Sequence, residues 1–230
     1  MMIANRRISK DSDPFIVAEM SGNHNQSLQR ALEIVEAAAA SGADAIKLQT
    51  YTPDTMTLDL AEAEFVLPGN KTGEKDSWQG RSLYELYKEA ATPWEWHEPI
   101  LERAADLGLT AFSTPFDGTA VDFLEGLEVP CYKIASFENI DLPLIRKAAS
   151  TGKPLIISTG MATLAELDEA VRTARDIGCR PLALLKCTSA YPAPPESSNI
   201  QTIPHMRELF GCETGLSDHT PGIGVAVASV

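Results

Sequence analysis

The sequence has few positive charges, no paired-cysteine motif and no long apolar run. Only 19 lysine and arginine side chains accompany 32 aspartates and glutamates among 230 residues, so the net charge is −13. A field of this sign repels nucleic acid and anionic lipid, and we expect neither as a partner. No apolar stretch has the length of a membrane span or the flanks of a signal peptide, which predicts a cytoplasmic protein.

The cysteines and glycines exclude two further classes. Cys131, Cys179, Cys187 and Cys212 are scattered singly, without the CxxC spacing of zinc sites, which predicts reduced thiols. No GxGxxG motif follows the first apolar run, which argues against a dinucleotide-binding fold. With 44% apolar residues, a chain of this length can bury roughly 70% of its unfolded surface in one core, so we predict a single domain.

Seven short apolar runs alternate with stretches of helical periodicity. The runs are PFIVAE from Pro14, AIKLQT from Ala45, LTAFSTP from Leu109, CYKIAS from Cys131, PLIISTG from Pro154, PLALLKCTS from Pro181 and ETGLSDH from Glu213. One intervening helix is expected to begin at a Thr92 cap with Pro93 in its first turn, and PGIGVAVASV resembles the start of another. This alternation predicts parallel strands in a closed (β/α)8 barrel or an open doubly wound sheet, and the missing glycine motif favours the barrel.

Polar residues follow every predicted strand, at the end where parallel folds carry their reactive groups. In chain order they are Glu19, Asn23 and His24; Lys47 and Gln49; Ser113 and Thr114; Lys133, Ser136 and Glu138; Ser158 and Thr159; Lys186, Thr188 and Ser189; and Ser217, Asp218 and His219. A purely structural sheet would have one or two such ends. The pattern therefore predicts an active site.

Two lysines suggest the charge of the ligand. Lys47 and Lys133 lie inside apolar runs, so each needs either an anionic ligand or a neighbouring carboxylate such as Glu19 or Glu138. With the strand-end hydroxyls they point to a small phosphorylated or carboxylated substrate.

The histidines allow more than one interpretation. His219 with Glu138 could hold a divalent cation, and a hydrogen-bonded structural role for His219 is the alternative. His24 could contact substrate or support its loop. His97 and His205 are expected at the surface.

Seven segments in order resemble the sialic acid synthase family. They are AEMSGNHNQS from Ala18, KLQTYTPDTMT from Lys47, FSTPFD from Phe112, YKIASFEN from Tyr132, ISTGMAT from Ile157, LLKCTSAYP from Leu184 and GLSDHT from Gly215. The resemblance implies a (β/α)8 barrel that condenses phosphoenolpyruvate with the aldehyde form of an N-acetylated amino sugar. The products would be a nonulosonic acid and phosphate. Several segments look closest to the branch that makes pseudaminic acid. The N-acetylneuraminate and legionaminate branches, and a non-catalytic remnant that binds phosphoenolpyruvate, are the alternatives.

The resemblance also implies a role for individual residues. The residues that match the phosphoenolpyruvate site are Lys47, Thr114, Lys133, Ser136, Ser158, Ser189 and Ser217, and at Ser189 the N-acetylneuraminate branch commonly has asparagine. Those that match sugar contacts are Glu19, Gln49, Tyr191 and Asp218. His219 matches a ligand of the divalent metal, manganese or magnesium. Glu138, with Lys47 and Lys133, is the expected catalytic set.

The family pattern continues beyond the seventh strand. It includes an eighth strand with a second metal-binding histidine and then a small antifreeze-like domain that reaches the partner subunit of a homodimer. Neither segment is found within residues 1–230. We therefore expect one barrel domain, truncated before its eighth strand, in which His219 is the only member of the usual histidine pair.

Overall fold

The computed structural model describes residues 1–67 and 80–230. The strands are β1 (Met2–Ile3), β2 (Arg6–Arg7), β3 (Val17–Glu19), β4 (Ala45–Thr50), β5 (Thr110–Pro115), β6 (Tyr132–Ile134), β7 (Leu155–Ser158), β8 (Leu182–Cys187) and β9 (Glu213–Ser217). The α-helices are α1 (Leu28–Ala40), α2 (Pro53–Met56), α3 (Leu83–Ala90), α4 (His97–Asp106), α5 (Gly118–Gly126), α6 (Leu142–Ser150), α7 (Leu164–Asp176), α8 (Thr202–Phe210) and α9 (Gly224–Ala228). Among the described residues, no helix has the length and apolar character that crossing a membrane requires.

The chain divides into two compact units: a first unit, Val17–Ala111, and a second unit, Met1–Ile16 with Phe112–Val230. In the first unit, β3 and β4 pair in parallel with Glu19 opposite Lys47. The connecting helix α1 begins where the Ser27 hydroxyl accepts the Arg30 N–H. The apolar face of α1 packs with β4 and α4 in a core whose buried members include Val35, Ile46 and Ile100. This packing fixes the strand that carries Lys47.

In the second unit, β5 to β9 pair in parallel in chain order. Helices α5 to α8 connect them, as expected for parallel strands. Asp117 caps α5 by accepting the N–H groups of Thr119 and Ala120, each at 3.1 Å. Helix α8 ends at Gly211, whose φ of 56° is left-handed and therefore suits glycine.

The structure confirms the seven predicted strands and the helix near the end of the chain, and it corrects three details. Helix α4 begins at His97 after a 3₁₀ turn (Trp94–Trp96), so the expected start at Thr92 is wrong. The Thr92 hydroxyl instead contacts His24. His97 is fully buried, not at the surface. Helix α5 and the β1–β2 hairpin were not predicted, the hairpin because two-residue strands carry no readable periodicity.

Candidate active site

Lys133 is a buried lysine of the second unit. It is only 8% exposed in the middle of β6. Thr114, also buried, is one residue beyond the Ser113–Tyr132 register pair and so lies level with Lys133 on the neighbouring strand. Burial raises the pKa of Glu138, and the Lys133 ammonium opposes that rise. Lys133 thus interacts with the half-buried carboxylate of Glu138, the alternative to an anionic ligand that the sequence left open.

Glu138 ends the 3₁₀ turn Ser136–Glu138 that follows β6. Its Oε2 is buried and has no hydrogen-bond partner among residues 1–67 and 80–230. An unsatisfied buried acceptor costs about 1–3 kcal/mol, more when charged. The fold therefore maintains, at a cost in stability, a buried carboxylate oxygen that no described residue satisfies.

A serine cluster, which we define as Ser136, Ser158, Ser189 and Ser217, lies at the ends of β6 to β9. Ser158 is fully buried, and its hydroxyl has no hydrogen-bond partner in the part of the chain that the structure describes. Ser136 Oγ accepts the Gly160 N–H at 3.2 Å, and Ser189 Oγ is 3.9 Å from Cys187 Sγ. Ser217 is the register partner of Cys187. Hydroxyls from four adjacent strands can donate together to the oxygens of one anion.

His219 is held by the segment after β8. Its Nδ1 is 3.0 Å from the Thr188 carbonyl oxygen, and its ring lies 4.2 Å from that of Tyr191, centroid to centroid. A carbonyl can only accept, so Nδ1 carries the proton and Nε2 keeps the lone pair. The Ala193 N–H also donates to the His219 carbonyl oxygen at 2.9 Å. The imidazole orientation is therefore determined by its neighbours.

Cys187 lies beside His219 and Ser189 in the second unit. Burial opposes ionisation, but hydrogen bonds from His219 and from the Ser136 and Ser217 hydroxyls lower the pKa of the thiol to about 7. The contact with Cys187 in turn raises the pKa of His219, against burial and the Lys133 charge. These mutual effects place Lys133, Cys187, His219 and two of the serines in one neighbourhood.

The structure supports the expected role of His219 as a metal ligand only in part. A histidine whose Nδ1–H donates to a carbonyl is the usual arrangement for metal binding through Nε2, and His219 fits it. Within residues 1–67 and 80–230, however, no three histidine, cysteine or acidic side chains cluster as a cation site. The described residues thus supply one suitable nitrogen and not a complete ligand set.

Asp218 has local hydrogen bonds. Its two carboxylate oxygens accept the backbone N–H and the hydroxyl of Thr220 at 3.0 and 3.1 Å. These bonds shape the turn after β9 beside His219. The expected contact between Asp218 and the sugar stays a prediction.

The first unit brings together Glu19, Lys47 and Gln49. Lys47, 9% exposed, forms an ion pair with Glu19. The Ser21 N–H donates to Glu19 Oε1 at 3.1 Å, and the Ser21 hydroxyl reaches Gln49 Oε1 at 3.5 Å. Of the two explanations for a buried Lys47, pairing with a carboxylate is therefore present. The pair is more exposed on the Glu19 side, at 41% of the side chain.

Comparison with known proteins identifies the family. A sequence profile of the NeuB family matches residues 34–230. The chain belongs to the NeuB family. It is 49% identical over 209 residues to the pseudaminic acid synthase of Helicobacter pylori, covering 91% of this chain and 60% of that protein. It is 43% identical over 230 residues to the pseudaminic acid synthase of Campylobacter jejuni, covering 100% of this chain and 65% of that protein. The chain thus spans 60 to 65% of the length of these NeuB relatives.

A solved structure supports the fold of this NeuB chain. The N-acetylneuraminic acid synthetase of Leptospira borgpetersenii, crystallised with citrate, matches 100% of the chain and 73% of its own, with a TM-score of 0.85 and 28% identity. This likeness confirms the predicted (β/α)8-barrel fold class.

Three residues that contact the serine cluster or its backbone were missed from the sequence. Cys187 was interpreted only as a reduced thiol, although its position at the end of β8 pointed to the site. Asn139 and Gly160 stand in the motifs that carried the resemblance, yet only their contacts reveal what they do. Asn139 is 2% exposed, and both connect neighbouring loops.

Proposed function

We propose that the protein is a pseudaminic acid synthase. It would condense phosphoenolpyruvate with the aldehyde form of 2,4-diacetamido-2,4,6-trideoxy-altropyranose and water, giving pseudaminate and phosphate. The relatives at 43 and 49% identity, both pseudaminic acid synthases, support this choice of sugar. Residues 1–230 would form one barrel domain of the enzyme.

The proposal depends mainly on one observation in the second unit. Buried Lys133 lies within β6, and the serine cluster and Glu138, whose Oε2 has no hydrogen-bond partner among the described residues, lie at the ends of β6 and its neighbouring parallel strands. A cation with several hydroxyl donors suits the phosphate and carboxylate oxygens of phosphoenolpyruvate. A carboxylate with a free oxygen beside them suits proton transfer at a reacting carbon.

In this mechanism, phosphoenolpyruvate C3 forms a bond to the sugar aldehyde carbon, and the aldehyde oxygen takes up a proton. Positive character develops at C2, where Glu138 stabilises it and takes the proton of the water that adds there. The resulting intermediate loses phosphate by C–O cleavage as its C2 hydroxyl becomes the carbonyl of the product, and the hydroxyl proton goes to the departing phosphate. Lys133 offsets the charge on the departing phosphate. Lys47 and Thr114 would also bind phosphoenolpyruvate, as the resemblance implies.

The sugar side of the proposal uses Glu19, Gln49, Tyr191 and Asp218. A divalent metal, manganese or magnesium, would supply Lewis-acid activation of a carbonyl when bound, with His219 as one ligand. The protein would work in the cytoplasm as a homodimer. None of these steps requires nucleic acid or a membrane.

The test is phosphate release by the purified protein, with the product identified by mass spectrometry. We expect release with phosphoenolpyruvate, manganese and the trideoxy diacetamido sugar. Activity with N-acetylmannosamine or the legionaminate precursor, and none with the trideoxy sugar, would replace the proposed substrate by that of another branch. Calorimetry with phosphoenolpyruvate completes the test: binding without turnover of any sugar would favour a non-catalytic remnant.

A further inference from the structure

Gly160, just after β7, lies where a side chain cannot fit. A Cβ built on it would collide with Ser189 Oγ and would stand only 2.8 Å from Ser136 Oγ and 3.1 Å from Ser136 Cβ. Both serines belong to the serine cluster, and they reach Gly160 from the loops after β8 and β6. The two hydroxyls can therefore converge over Gly160 only because the side chain is absent.

Both peptide groups of Gly160 are also tied to the loop after β6. Its N–H donates to Ser136 Oγ at 3.2 Å, and its carbonyl accepts Asn139 Nδ2 at 3.1 Å. The same Nδ2 donates to the Ser158 carbonyl at 3.3 Å. Asn139 is buried, so these bonds are sheltered from competing water.

From these contacts we infer that Gly160 and Asn139 are positioning residues that set where the hydroxyls of the serine cluster meet an anionic group. Gly160 provides the space for Ser189 and a hydrogen bond to Ser136, and Asn139 holds the backbone of Ser158 and Gly160. The inference rests on the proposed function, because it assigns the geometry of the phosphoenolpyruvate site. It concerns how tightly that anion binds, not the proton transfers of the reaction.

The test is a double-variant cycle read by the dissociation constant of phosphoenolpyruvate in calorimetry. The variants are G160A, S189A and G160A/S189A, and G126A is the matched control because nothing lies within 4 Å of a Cβ at Gly126. We expect G160A to weaken binding at least tenfold and G126A to leave it unchanged. In the double variant the methyl group introduced at position 160 occupies the space of the lost hydroxyl. The double variant should therefore bind no more weakly than G160A.

Different results refute different claims. Wild-type protein that binds no phosphoenolpyruvate refutes the proposed function and this inference together. Wild-type binding with unchanged affinity in G160A, or losses that multiply in the double variant, refutes the inference alone. If G160A does not fold, the double variant decides: recovery of folding by S189A supports the collision, and failure to recover contradicts it.

A separate set of variants tests the role of Asn139. N139D keeps the size of the side chain, removes the donor and places an acceptor against two carbonyls. We expect it to weaken phosphoenolpyruvate binding at least tenfold, and N139S to fall between N139D and wild type. Equal affinity in N139D and wild type would remove Asn139 from the assignment.

Discussion

Acidification should destabilise the protein through the buried imidazole of His97. His97 begins α4, and its Nδ1 lies 3.3 Å from the Pro93 carbonyl while Nε2 lies 2.8 Å from the Thr50 hydroxyl. The carbonyl accepts from Nδ1–H, so the hydroxyl donates to Nε2. Burial lowers the pKa of His97 from 6.5 to about 4. The folded protein therefore holds this ring neutral at pH values where the unfolded chain protonates it.

The sign and size follow from proton linkage. Between pH 6.5 and pH 4 the unfolded chain binds more protons at His97 than the folded protein does. The contribution of the neutral ring to the unfolding free energy is therefore fully present above about pH 6.5 and is lost as the pH falls toward 4. At about 1.4 kcal/mol per pH unit, the loss reaches about 2 kcal/mol at pH 5. Burial lowers the pKa of His24 as well, which adds a loss of the same sign.

The assay is urea unfolding at pH 7 and pH 5 for wild type, H97Q and the control H205Q, which alters an exposed histidine. The remaining titrating groups are common to wild type and H97Q and cancel in their comparison. We expect wild type and H205Q to lose about 2 kcal/mol more than H97Q between the two pH values. The same pH dependence in wild type and H97Q would refute the reasoning.

Three further predictions address the site and its support. E138Q should lower the rate of phosphate release at least about a hundredfold, as loss of a general base does, with phosphoenolpyruvate affinity nearly unchanged; a near-normal rate would exclude Glu138 from proton transfer. Y191A should raise the KM for the sugar about fivefold, whereas Y191F, which keeps the aromatic ring against His219, should leave that KM unchanged. Equal effects of the two variants would assign sugar binding to the Tyr191 hydroxyl and not to the ring. D117A should lower the unfolding free energy in urea by about 1 kcal/mol through loss of the α5 cap, and unchanged stability would contradict that role.

The sequence was most informative about the strand ends. Parallel strands bring their carboxyl ends to one edge, so apolar runs that end in polar residues predicted which side chains would gather. The burial of Lys47 and Lys133 followed from their apolar neighbours and is confirmed. Whether Lys47 would pair with Glu19 depended on rotamers, which no pattern encodes. The burial of His97 was missed because a single polar residue at a helix start has no periodicity.

The roles of Asn139 and Gly160 could not be predicted for a different reason. Each role is a contact between loops that lie about 20 to 30 residues apart in the chain. Such contacts depend on how the backbone of each loop is oriented, and the order of residues along one loop does not specify that.

The bonds from Asn139 to the loop after β7 affect how this protein could be redesigned. They tie the side chain of Asn139, the neighbour of Glu138, to the backbone carbonyls of Ser158 and Gly160, so the loops after β6 and β7 are held together. Tyr191 lies outside that linkage, largely open to solvent. Under the proposed function, an engineer who wished to change the accepted sugar could therefore vary Tyr191 while leaving the hydrogen bonds of Asn139 intact.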